Sequence, residues 1–281
     1  MHMFRSLFIL SLLLFATPAL AGDPLHKDGG PQLSSKAVLV LDTQTGKVLL
    51  ARNATDERSI ASLTKLQAAL VLMDKGLKLD QGTAISREDH KVGLKGCRTR
   101  LELKWIYKNR DLLHAALMAS DNRAVSALGR AVGLHANALV QAMNERARRE
   151  GLKKTVFKGP VGIDHGNVST AWEVARIARA ASKNKALSAI MKKSEYTVKP
   201  VKGYLKIVYK NTNPVVGAKN LHFLASKTGY NSSAGYCLAT VVKARGLGTI
   251  TVVLLGASAK YGRVSDLKKI LRWLKAGGKQ S

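Results

Sequence analysis

The chain has 281 residues, in which 46 Lys and Arg face 18 Asp and Glu for a formal charge of +28 at pH 7. That length admits one domain, or a closely joined pair of lobes, around a large core, and two cysteines exclude a disulfide scaffold. A surface this basic is read either as meeting an anionic partner (nucleic acid, acidic lipid or an acidic cell-wall polymer) or as a generally basic solubilising surface with no single partner.

Arg5 is the only Lys or Arg in the first 21 residues, and it precedes a mostly apolar run over residues 7–16. The run is shorter than the roughly 20 apolar residues of a spanning helix. It leads to Ala19-Leu20-Ala21, a small-x-small cleavage pattern. Residues 1–21 therefore read as a signal peptide, and the exported chain is expected to start at Gly22. Export argues against nucleic acid as the partner. Residues 22–35 are polar and rich in Gly and Pro, the composition of a flexible arm. No second long apolar segment follows, so no stable membrane anchor is predicted. Cys97 and Cys237 could pair in an oxidising compartment, but nothing in the sequence brings them together.

Residues 37–42 and 47–51 are branched, apolar runs around Thr43-Gln44-Thr45-Gly46, a hairpin signal. Residues 63–75 have helical spacing and stop at Gly76. Residues 111–132 and 135–150 read as two further helices. Thr170-Ala171-Trp172-Glu173 is a capping box opening a helix to about Ala181. Strand patterns then occupy 197–208, 222–225, 235–242 and 249–255, and a helical period returns over 264–275. Strands at both ends around central helices predict an α+β fold: one mainly antiparallel sheet, built from both ends of the chain and covered by helices.

Three short motifs carry chemistry. Ser62-Leu63-Thr64-Lys65 is an S-x-x-K at a helix start, where residues three apart share a face. A serine hydroxyl is a poor nucleophile until a neighbour takes its proton. Lysine does so only when neutral, which at its ordinary pKa holds for roughly one molecule in 2,500 at pH 7, so the site must favour the neutral amine. The motif alone is weak, because Ser182/Lys185 and Ser265/Lys268 repeat it. The second motif, Ser120-Asp121-Asn122, is an S-x-N that is matched by Ser182-Lys183-Asn184. The third, Lys227-Thr228-Gly229, occurs once, just after the strand pattern at 222–225. There Lys227 would aim its charge at a ligand, Thr228 would offer a hydroxyl, and Gly229 would let a ligand backbone approach. Only the Ser62 motif precedes a separate S-x-N that precedes the K-T-G. That ordered set is the one found in penicillin-binding proteins and class A β-lactamases.

On these motifs the chain resembles the low-molecular-mass penicillin-binding proteins that act as D-alanyl-D-alanine carboxypeptidases and endopeptidases. The likeness extends to SIASLTKL from Ser59, ALMASDNRAVSAL from Ala116, Asn167-Val168-Ser169-Thr170-Ala171, Asn211-Thr212-Asn213 and SKTGYNSSAGYCLA from Ser226. Within the family it looks closest to the D,D-endopeptidase branch typified by penicillin-binding protein 7. The carboxypeptidase branch adds a second β-domain and a membrane anchor, for which no room is left here. The resemblance implies a β-lactamase/transpeptidase-like fold with a helical lobe over residues 36–281, no metal or cofactor, and a periplasmic enzyme meeting peptidoglycan, β-lactams and the anionic cell-wall surface. It implies that Ser62 forms an acyl-enzyme with Lys65 as base and Ser120 as bridge to the leaving amine. Asn122 would hold the substrate's carbonyl, and Lys227, Thr228 and Gly229 would receive the D-alanyl end. The N–H groups of Ser62 and Tyr230 would form the oxyanion hole.

Three alternatives stand beside a D-Ala-D-Ala endopeptidase. A carboxypeptidase trimming pentapeptides uses the same acyl-enzyme. A class A β-lactamase needs a water-positioning Glu after the S-D-N, and none of Glu145, Glu150, Glu173 and Glu195 has the expected E-x-x-L-N context. A basic wall-binding scaffold without catalysis would not need three intact motifs.

Overall fold

In the computed structural model, residues 30–93, 99–163 and 165–278 are described. The expected signal peptide, most of the arm and Cys97 lie outside them. The chain opens with β1 (Ala37–Asp42) and β2 (Val48–Arg52), then a short β3 (Arg58–Ser59), a 3-10 turn (Ala61–Leu63) and α1 (Thr64–Asp74). A helical lobe follows: β4 (Gly82–Ala84), α2 (Arg87–Gly93), β5 (Ile106–Lys108), α3 (Asn109–Met118), α4 (Asn122–Ala131) and α5 (Ala136–Arg149). Next come β6 (Val168–Ser169), α6 (Ala171–Lys183), α7 (Lys185–Met191), and the hairpin of β7 (Glu195–Val198) and β8 (Ile207–Lys210). The chain closes with β9 (Leu221–Asn231), β10 (Gly235–Ala244), β11 (Gly248–Ala257) and α8 (Gly262–Lys275).

The main sheet has the order β2-β1-β11-β10-β9, and every neighbour is antiparallel. β1 pairs with β11 from Ala37↔Leu255 to Asp42↔Ile250, joining both ends of the chain as expected. Both strands read as unbroken apolar runs because both faces of the sheet are covered. Leu39, Leu41, Val253 and Leu255 join the larger core. Val38, Val40, Val252 and Leu254 face Leu267, Ile270, Leu271 and Trp273 of α8. Ser34 and Ser35, the end of the segment read as a flexible arm, are held by the Asp266 carboxylate of α8 at 2.7–3.0 Å.

Three expectations needed redrawing. Residues 111–132 form not one helix but α3 and α4, broken at Ser120, whose φ is +65°. Asp121 starts the second helix by accepting from the Ala124 N–H at 3.1 Å. Residues 197–208 are not one strand: Pro200 and Gly203 (φ +107°) interrupt them and fold β7 back onto β8. The strand predicted at 222–225 runs on to Asn231, so Lys227-Thr228-Gly229 lies within β9 and not beyond its end. Thr170 does cap α6, accepting from the Glu173 N–H at 3.2 Å, but the Glu173 carboxylate turns to the Lys154 N–H and the Thr155 hydroxyl.

Candidate active site

Ser62 sits at a tight corner between β3 and α1. Ala61 holds a left-handed φ of +45°, unusual for a residue with a Cβ. Two glycines make the corner possible by letting other chains press against it. A Cβ on Gly162 would stand 2.0 Å from the Ala61 carbonyl oxygen, and one on Gly229 would stand 3.1 Å from the Ser62 nitrogen. Asn167 fixes the loop that carries Gly162. Its side chain accepts from the N–H groups of Lys158 and Gly159 at 2.8 and 2.9 Å. It donates to the Gly159 carbonyl at 2.7 Å and to Thr64 Oγ1 at 2.9 Å. Thr64 Oγ1 in turn donates to the Ala61 carbonyl at 2.7 Å, so a buried chain of bonds ties the loop to the corner.

Lys65, one turn into the helical segment, is 1 % exposed. Its Nζ donates to Ser62 Oγ at 2.9 Å and to the Val161 carbonyl at 2.7 Å. Ser120 and Asn122 flank the break between α3 and α4, and both line the same cleft as Ser62. Asp121, between them, points away: its other carboxylate oxygen accepts from Tyr209 Oη at 3.1 Å, and that hydroxyl is pushed well above its ordinary pKa, first by burial. Lys227, also 1 % exposed, reaches across from β9 to donate to Ser120 Oγ at 3.0 Å and to the Thr228 carbonyl at 2.7 Å. Thr228 Oγ1 donates to Thr212 Oγ1 at 2.7 Å. Two buried lysine side chains thus each hold one serine hydroxyl.

β9 is an edge strand, and its unpaired side faces this group. The cleft between them measures about 580 Å³. All eight residues singled out in the sequence lie in or against it: Ser62, Ser120, Asn122, Thr228, Gly229 and Tyr230 line it, with Lys65 and Lys227 beneath. Sequence reasoning gave no role to the Val161 carbonyl, Gly162, Thr212, Tyr236, Lys260 or Arg263. Tyr230 and Tyr236 stack at 4.2 Å, and the Arg263 guanidinium lies 5.3 Å over Tyr236 and donates to the Gly229 carbonyl at 3.2 Å. Asn167 and Thr212 belong to segments already recognised as family-like, but no short motif marked Arg263. Among the described residues no carboxylate lines the cleft. Glu145 and Glu195 are exposed, Glu150 pairs with Arg146 at 2.7 Å, and Glu173 is engaged at the start of α6. No group of three or more His, Cys, Asp or Glu among the described residues could hold a metal ion.

The repeated motifs fall elsewhere. Ser182 Oγ donates to its own helix at Arg179, and Asn184 separates it from Lys185 by capping α7. Ser265 and Lys268 are exposed on α8. Cys237 is a buried free thiol on β10, its pKa pushed up to about 11 by burial.

The Peptidase_S11 model, described as D-alanyl-D-alanine carboxypeptidase, matches residues 25–258. The D-alanyl-D-alanine endopeptidase of Pseudomonas aeruginosa is 33% identical over 98% of this chain and 87% of its own length. The D-alanyl-D-alanine endopeptidase of Escherichia coli is 29% identical over 97% and 88%. The crystal structure of the Streptomyces K15 DD-transpeptidase superposes with a TM-score of 0.80 at 27% identity, covering 88% of this chain and 99% of that one.

Proposed function

The chain belongs to the Peptidase_S11 family of D-alanyl-D-alanine peptidases, and from that premise we propose that it is a serine D,D-endopeptidase that opens peptidoglycan cross-links through an acyl-enzyme on Ser62. The observation that carries the reading is the pair of buried lysines, each bonded to a serine, beside the free edge of β9. The named activity of the relatives from Pseudomonas aeruginosa and Escherichia coli favours the endopeptidase over the carboxypeptidase.

In this mechanism Lys65 is neutral when substrate binds, and its contact with Ser62 reverses so that the hydroxyl donates to Nζ. Burial and the nearby Lys227 cation both disfavour a second charge. The Ser62 oxygen attacks the D-alanyl carbonyl carbon while its proton passes to Lys65. Negative charge then grows on the carbonyl oxygen, against the N–H groups of Ser62 and Tyr230. Gly229 supports that pairing, since its lack of a Cβ brings the β9 backbone against the Ser62 nitrogen. Collapse breaks the C–N bond, and the leaving amine takes the proton from Lys65 by way of Ser120. Water then hydrolyses the ester. The substrate strand would lie along the open edge of β9, with Asn122 on its carbonyl and its carboxylate near Lys227, Thr228 and the basic wall of Lys260 and Arg263.

That Glu145, Glu150, Glu173 and Glu195 all lie away from the cleft supports a peptidase over a β-lactamase, whose fast deacylation uses a water-positioning Glu. Exported through the signal peptide read at residues 1–21, the enzyme would act in the periplasm. Wild-type protein should form a long-lived adduct with fluorescent penicillin and convert cross-linked muropeptide dimers to monomers, and Ser62→Ala should do neither. Rapid penicillin turnover, loss of terminal D-Ala with dimers untouched, or full activity in Ser62→Ala would each refute the assignment.

A further inference from the structure

Outside the cleft, the turn of the β7–β8 hairpin reads Lys199-Pro200-Val201-Lys202-Gly203-Tyr204-Leu205-Lys206. Its apolar residues stay largely open to solvent. Val201 is 51 % exposed, Leu205 36 % and Tyr204 100 %. The neighbouring chain adds Trp105 and Ile106, at 37 % and 46 %. These two segments form one patch. The Val201 N–H donates to the Ile106 carbonyl at 2.7 Å, and Tyr107 bridges to Pro200. Gly203 packs against the Trp105 ring, and the side chains of Ile106 and Val201 converge over Gly82.

Single exposed apolar residues are ordinary, whereas a contiguous set of five marks a docking surface. Its border says what docks. Lys199, Lys202 and Lys206 punctuate the turn, which holds no acid, and Lys104 and Lys108 flank Trp105 and Ile106; all five are exposed. Three carboxylates lie close by in sequence, Glu102, Asp111 and Glu195; of these Asp111 is buried and accepts from Tyr196 Oη at 2.7 Å. Aromatic rings and branched aliphatics within a ring of lysines match the layers of an anionic bilayer surface. Trp and Tyr suit the headgroup level, Val, Ile and Leu the region beneath, and lysines extend their stems and leave their charges on lipid phosphates. A glycan platform would call for carboxylate or amide partners around the rings, and the turn offers neither.

We propose that this hairpin turn docks the protein peripherally on a membrane surface bearing anionic phospholipid. Docking through exposed lysines and a small apolar patch is reversible and salt-sensitive; among the described residues no helix is long and apolar enough to cross a membrane. It also sets the position of the cleft. Tyr209 at the base of the hairpin bonds Asp121 of the S-x-N segment, and it lies four residue steps from Leu205, roughly 13 Å when extended. The cleft is then held just above the headgroups, open to wall substrate.

The test is co-sedimentation of the chain, isolated from the extracytoplasmic fraction, with vesicles. Wild type should bind equal mixtures of phosphatidylglycerol and phosphatidylcholine and lose that binding in high salt or with pure phosphatidylcholine. Tyr204→Ser/Leu205→Ser and Lys199→Gln/Lys202→Gln/Lys206→Gln should each bind roughly ten-fold or more weakly. Penicillin labelling of Ser62 should stay at wild-type rate in both, which separates this inference from the peptidase reading. Wild type that ignores phosphatidylglycerol, or variants that bind vesicles as wild type does, would overturn it. So would variants that keep vesicle binding but lose binding to purified sacculi, which would assign the patch to wall glycan.

Discussion

The reactivity of Ser62 is built from residues with no chemistry of their own. Gly162 has a φ of +83°, and its missing Cβ leaves room for the Ala61 carbonyl. An alanine there faces both a strained backbone, costing on the order of 1–3 kcal/mol, and a collision with main chain that has no rotamer to yield. Gly162→Ala should therefore keep much of the fold but slow penicillin acylation at least 100-fold, measured as the rate of covalent labelling. Unchanged labelling would mean that the corner is set by Asn167 and Gly229 alone. Residues of this kind are invisible to motif reading, because a lone glycine in a loop has many uses.

At the scale of elements, α3 is clamped to the β7 strand by a buried aromatic stack. His114 lies 3.5 Å from Tyr196, whose hydroxyl donates to Asp111 at 2.7 Å, while Lys193 sits over the same ring. Burial lowers the His114 pKa to about 4, with help from Lys193 and Arg110, whereas burial raises that of Asp111. Between the ordinary histidine value and about pH 4 the unfolded chain binds more protons at His114 than the folded one. Stability is thus lost as pH falls through that window, by on the order of 3 kcal/mol. Asp111 acts oppositely near the bottom of the window, since its raised pKa lets the folded state take a proton first. Urea unfolding from pH 7 to pH 4 should show the fall, and His114→Gln should flatten it. An equally steep fall in the variant would place the titration elsewhere. None of this was legible in the sequence, where His114 is one polar residue in an Ala- and Leu-rich helix.

At the scale of the molecule, the strand that carries Lys227-Thr228-Gly229 is held by the far end of the chain. β9 pairs with β10, β10 with β11, and the reverse face of all this is sealed by α8. Leu267 is completely buried in that layer. Leu267→Asp should cost on the order of 4 kcal/mol or more, a buried charge replacing core. Penicillin labelling should then fail at temperatures where wild type reacts, although Leu267 itself does not line the cleft. A variant with wild-type melting and labelling would show that the layer contributes little.

What the residues settled by themselves was chemistry and local pattern: the order of Ser62/Lys65, Ser120/Asn122 and Lys227/Thr228, the β1–β2 hairpin, the Thr170 cap, and a sheet made from both ends. Those signals are short-range, set by spacing, branching and side-chain donors within a few residues. The order of the motifs already set the Ser62 pair apart from the other two S-x-x-K pairs; what completes the group around it was decided only by the tertiary structure. Ser62 meets Val161 across 99 residues and Lys227 meets Ser120 across 107. Such contacts follow from how β9, the 158–162 loop and the broken α3–α4 junction pack together; the order of the motifs announces that they meet, but not the geometry of the meeting.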